Sequence, residues 1–125
     1  MKKQEELINM YVNGYNAFNM KKMLLPLHSK IVFENYVKNE LKMKLEGIKS
    51  FKKQSLKGID MFSKRKQEIL KIDHEEGQAT VIVNYSATLK VDVGDKMKKG
   101  QVMNMSGKSI FTFKDDRILK IEDYS

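Results

Sequence analysis

Apolar residues recur every three or four positions in the first half of this chain and every two positions in the second. Leu7, Tyr11, Tyr15 and Phe18, flanked by Ile8 and Val12, fall on one face of a helix expected over Lys3 to Phe18. Asn19 suits the cap of a second, short helix carrying Met23, Leu24 and Leu27, with Pro26 near its end. The β-branched and aromatic run "KIVFENYV" then reads as a strand. A third helix begins near Gly47, with Ile48, Phe51, Ser55, Ile59 and Phe62 on one side and Lys49, Lys52, Lys53 and Lys57 on the other. From Arg65 onward the period falls to two. "RKQEILKID" and "ATVIVNYSATLKV" are joined by "HEEGQ", and Ala79, Val81, Val83, Tyr85, Ala87, Leu89 and Val91 form one apolar row. After "VGDKMKKG" come "QVMNMSGKSIFTF" and "ILKIEDY", linked by the turn "KDDR".

Helix, helix, strand, helix and then long strands joined by hairpins predict an α+β domain whose curved antiparallel sheet is covered on one face by the N-terminal helices. Such a shape leaves a pocket between helices and sheet. No repeat, low-complexity tract or linker divides residues 1–125, so they are read as one domain. A chain of 125 residues buries about two-thirds of the surface exposed by its unfolded form and needs no disulfide or metal to hold it.

Twenty-four basic and sixteen acidic side chains give a net charge of +8, which raises the question of an anionic partner. The charges are mostly lysine, spread over helices, turns and strand ends, with only Arg65 and Arg117 to offer bidentate forks. That distribution describes a solvated basic surface, and specific nucleic-acid binding is not expected. No glycine-rich phosphate loop, recognition helix or aromatic RNA-binding motif is present. The chain has no cysteine, which excludes thiol chemistry and fits a reducing cytoplasm. Its first residues lack the uninterrupted apolar core of a signal peptide or membrane span, so a cytoplasmic protein with no membrane partner is expected.

The segments "YVNGYNAFNMKKMLLPLHSKIVFEN", "GIKSFKKQS" and "GKSIFTFKDDRILKIEDYS" together resemble the nuclear transport factor 2-like superfamily, and within it the SnoaL-like group related to polyketide cyclases. The resemblance spans essentially the whole chain. It implies a cone-shaped α+β barrel of the cystatin-like kind, often a homodimer, with a cavity between the helices and the concave sheet. Members of the superfamily include isomerases, cyclases, dehydratases, epoxide hydrolases and proteins that only bind, so the fold leaves the activity open. Against the ketosteroid isomerase branch, Tyr11 falls at the position of the oxyanion-donating tyrosine, Ser109 at that of the late-strand acid, and Asn35 at that of the base. Asparagine cannot take a proton from carbon at neutral pH, so that isomerase mechanism is not supported. The Asp, Arg and Asp set of the epoxide hydrolases is missing from "MNMSGKSIFTF".

The remaining candidate for acid/base chemistry is Asp123, which sits where the alternation of the last strand calls for an apolar residue after Leu119 and Ile121. If that face looks into the cone, the carboxyl is partly desolvated and its pKa rises, as a general acid or base requires. If the strand frays there, Asp123 is wet. Glu34, opposite in phase to Phe33 and Asn35, is expected on the outer face. His28 reads as a helix-end cap and His74 as a turn residue beside Asp73 and Glu75; two isolated histidines make no metal site, and no cofactor is indicated. The expected ligand pocket comprises Tyr11, Tyr15, Phe33, Asn35, Phe62, Ser109, Phe111 and Asp123. Three functions are compatible with it: binding of a small, largely apolar molecule, cyclase or isomerase chemistry with Asp123 as acid/base and Tyr11 as oxyanion donor, or non-catalytic assembly. In the last case a homodimer would use an outer sheet face carrying Thr80, Ile82, Asn84, Ser86 and Thr88.

Overall fold

A computed structural model describes residues 2–125. Helices α1 (Lys2–Asn16) and α2 (Met20–Leu24) lead into strands β1 (Leu27–Val37) and β2 (Glu40–Glu46). Helix α3 (Ile48–Met61) follows, then strands β3 (Phe62–Glu75), β4 (Gln78–Leu89), β5 (Val102–Lys114) and β6 (Arg117–Tyr124). The six strands form one curved sheet in the order β2-β1-β6-β5-β4-β3. All neighbours are antiparallel except β1 and β6, which run parallel.

The helical stripe of α1 buries Leu7, Ile8, Tyr11 and Val12. They pack with Met23 of α2, Phe51 of α3 and inward residues of the sheet, including Val81, Phe111, Ile118 and Ile121. Two short-range features turn the chain between α1 and α2. Asn19 caps α2 by accepting a hydrogen bond from the Lys22 amide at 3.1 Å. Gly14 lets the two backbones meet: a Cβ there would overlap the Met23 nitrogen and lie 2.7 Å from the Met23 Cα.

The structure departs from the sequence reading in several places. Helix α2 stops at Leu24, and Leu27 and His28 open β1 instead of closing a helix. The Pro26 carbonyl there accepts from the Ile118 amide, tying the strand's start to β6. Strand β2 was not foreseen, and it pairs with β1 across the Lys38–Asn39 turn. Both turn residues have positive φ, as do Asp115 and Asp116 between β5 and β6, the backbone that matches a two-residue turn to the twist of its strands. Phe62 is the first residue of β3, and His74 lies within that strand, not in a turn. Strand β4 ends at Leu89, leaving Val91 exposed beyond the apolar row. The parallel pairing of β1 with β6 also modifies the expected all-antiparallel sheet.

Candidate functional site

Two rows of side chains cross the sheet where β1, β6 and β5 lie side by side. Phe33, Ile121 and Phe111 are mutual partners in register, and two residues further along so are Asn35, Asp123 and Ser109. Because strand side chains alternate between faces, both rows lie on the concave side with the helices. A β-bulge at Leu119, where Thr112 and Phe113 face Lys120 and Ile118, changes the phase of β6. Ile118 is therefore fully buried, in place of the Leu119 that strict alternation would have put in line with Ile121 and Asp123.

Asp123 does not lie at a frayed end; it is partly buried within β6. The Ser109 hydroxyl donates to its Oδ1 at 2.6 Å, and the last residue is held by a hydrogen bond from the Ser125 amide to the Tyr36 carbonyl. Burial raises the Asp123 pKa from 3.8 to about 6, against the opposing pull of the Ser109 hydrogen bond. Tyr11 stands over this row from α1, edge-on to Phe111 at 6.0 Å between ring centroids and tilted to Phe51 at 6.3 Å. Burial first, and then the nearby Asp123 charge, push its hydroxyl well above the ordinary range, so it is a neutral donor. Tyr15, one turn on, donates to the Tyr85 hydroxyl at 2.8 Å. Burial likewise raises Tyr15 and Tyr85.

These groups line a cavity of about 410 Å³. Helix α3 forms one wall with Phe51, Gln54, Ser55, Gly58 and Met61, positions that repeat along one helical face. The small Ser55 and Gly58 of this wall, with Ser109 on β5, keep side-chain bulk out of the cavity. The missed strand β2 contributes Met43 and Leu45. Its alternation "LKMKL" was a legible signal; a register shift opposite Asn35 and Tyr36 then sends Leu41 to the outer side, where it is exposed.

Seven of the eight expected pocket residues line the cavity: Tyr11, Tyr15, Phe33, Asn35, Phe62, Ser109 and Asp123. Phe111 does not. It is 1% exposed and packed in the core under Tyr11, because the sheet row beneath the helices closes there. Arg65, Gln67, Tyr85, Met103 and Met105 also line the cavity. The first of these is the notable omission, since its run "SKRKQ" looks like surface charge. In register, however, Arg65 faces Ala87 of the buried row.

Glu34 lies on the outer side, as its phase implied, but is enclosed there. The Tyr36 hydroxyl donates to Oε1 at 2.8 Å, and Lys120 and Lys44 approach to 3.3 and 3.9 Å. The Tyr36 hydrogen bond first and then the lysines hold its carboxyl low despite desolvation, so Glu34 is a fixed anion of the sheet and not an acid of the cavity. His28 accepts from the Lys30 amide, and His74 faces Gln4 of α1 at 3.0 Å. Neither lines the cavity. Among the described residues no three His, Cys, Asp or Glu side chains gather as metal ligands.

Solved structures of the same shape decide the fold. A proposed polyketide cyclase from Xanthomonas campestris superposes with a TM-score of 0.85 at 15% identity, covering 99% of this chain and 90% of its own. An NTF2-like protein from Burkholderia pseudomallei gives 0.76 at 10% identity, covering 98% and 90%. The chain has the nuclear transport factor 2-like fold. An LEH-like epoxide hydrolase from M. tuberculosis shares it too, at a TM-score of 0.79 and 11% identity over 98% of this chain and 82% of that one. No family model matches the sequence, and no curated protein does. In this nuclear transport factor 2-like cone, Asn35 and Ser109, matched above to the base and late-strand acid of the ketosteroid isomerase branch, flank Asp123 on adjacent strands. The one carboxylate of the row is thus on the strand between them. No described helix is long and apolar enough to cross a membrane.

Proposed function

We propose that the chain binds a small, largely apolar molecule in the cavity of the cone. The observation that carries this reading is a space of about 410 Å³ walled by methionine and aromatic side chains, into which a few polar groups converge. Tyr11 and Asp123 are a donor and a titratable carboxyl set side by side, the means of orienting one polar function of an otherwise apolar guest. Methionine walls adapt to varied shapes. A thermal-shift screen of steroids, polyketides, aromatic acids and fatty acids tests it, because a ligand of the folded state alone raises the melting temperature. One chemical class is expected to give a reproducible rise of several degrees. A flat response across all classes counts against an open binding site.

A second reading, cyclase or isomerase chemistry, is favoured by the pKa of Asp123. A carboxyl near 6 is ionised enough at neutral pH to accept a proton and acidic enough to return it. Asp123 would be the acid/base and Tyr11 the donor to a developing oxyanion, with Ser109 a positioning residue through its hydrogen bond to Oδ1.

The convex side of the sheet supports a homodimer. Thr80, Asn84, Ser86 and Thr88 alternate with the inward row and surround Ile82, and Leu70 and Val102 add exposed apolar surface. The cysteine-free sequence suits a reducing cytoplasm.

A further inference from the structure

Arg65 is 7% exposed yet has no carboxylate within ion-pairing distance among the described residues. A buried cation normally has a partner, since removing it from water without one is costly. What Arg65 has instead holds it in place without neutralising it. Its Nε donates to the Tyr15 carbonyl at 2.9 Å. Its guanidinium lies 3.8 Å from the Tyr15 ring centroid and 4.4 Å from that of Phe18. Gly58 of α3 leaves room beside Nη1, which a Cβ at that position would approach to 3.4 Å.

The side chain is thus clamped through Nε and its flat faces, while among the described residues neither Nη atom makes a hydrogen bond. Arg65 lines the cavity, and no side-chain nitrogen of the described residues is both sealed from solvent and unpaired. The terminal N–H groups therefore open into the cavity, in the fork geometry that matches a planar oxyanion. We infer that the ligand carries a carboxylate, which Arg65 receives, with its apolar body lying between the methionine and aromatic walls toward Tyr11 and Asp123. This rests on the binding function proposed above and narrows it from apolar molecules to apolar acids.

The experiment compares 2-naphthoate with 2-naphthamide, its neutral isostere, by calorimetric titration of the wild type and of Arg65→Gln. The wild type is expected to prefer the carboxylate by about tenfold or more, as a charge-assisted two-point hydrogen bond should. In Arg65→Gln the preference should vanish, the carboxylate losing about tenfold more affinity than the amide. Arg65 and Arg117 are the only arginines, so an Nε–H NMR spectrum of the wild type separates the buried one from the exposed one even if the variant fails to fold. The carboxylate should shift the Arg65 signal and leave Arg117 still. Equal binding of both probes, or an unmoved Arg65 signal on saturation with naphthoate, overturns the anion assignment while cavity binding stands. Failure of both probes to bind overturns the assignment as well, and only a failed thermal-shift screen beside it removes the binding function.

Discussion

Replacing Asp123 by asparagine is expected to stabilise the protein at about pH 8 by about 2 kcal/mol and to leave it unchanged at about pH 3. Burial raises the carboxyl from 3.8 to about 6, so between those values the folded state binds a proton that the unfolded chain releases. Stability therefore falls as pH rises through that window, and the cost is complete above it. The full difference corresponds to about 3 kcal/mol, trimmed because Asp123 keeps some contact with solvent through the cavity. The amide oxygen of asparagine can still accept from Ser109, so the substitution removes the charge and little else. Urea titrations of both proteins across the range measure it, and a variant equally destabilised at both ends would show that Asp123 is a packing residue. The same variant decides the chemistry. If Asp123 is the acid/base, turnover of any substrate found falls by about 10² or more, and wild-type activity in Asp123→Asn would end the catalytic reading.

Alanine at Gly14 is expected to cost about 2–3 kcal/mol, the reverse of its effect in an isolated helix, where it would gain about 1 kcal/mol. The new Cβ would meet the Met23 nitrogen, its Cα at 2.7 Å and the Lys22 carbonyl carbon at 2.9 Å. All three are backbone atoms that cannot swing aside. Either α2 moves off α1, or α1 moves off the sheet, and Tyr11 and Tyr15 go with it. A lowered melting temperature with weaker ligand binding is the expected pair of results. A more stable Gly14→Ala would mean that the helices do not meet as closely as described.

Much of this architecture was written in periodicity. The stripe of Leu7, Tyr11 and Tyr15 and the alternating row from Ala79 to Leu89 each bury one face, and a pattern with one buried face fixes both element and orientation. The losses came where local pattern and tertiary setting part. "LKMKL" alternates as a strand should, but its lysines made it read as surface, and it covers the cavity only because β1 has a free edge for it to pair with. The Leu119 bulge decides which residues of β6 face inward, and nothing in "ILKIEDY" announces it. Asp123 was visible as a break in an apolar rhythm. Arg65 was visible only as one cation among many, since its role depends on Tyr15, Phe18 and Gly58 arriving from elsewhere in the chain. Phe111 has the right phase for the cavity but is covered by Tyr11, a matter of depth that strand alternation does not encode.

The central claim, an open cavity that receives a ligand between α3 and the concave sheet, is tested most directly by NMR of methyl-labelled methionines during titration with 2-naphthoate or the first compound found by screening. Met23, Met43, Met61, Met103 and Met105 line the cavity, whereas Met10, Met20 and Met97 do not. The account predicts that the signals of the first group move together along one saturable curve while Met10, Met20 and Met97 stay in place. Binding that leaves the cavity methionines unmoved, or shifts only the others, would place the ligand elsewhere and contradict it.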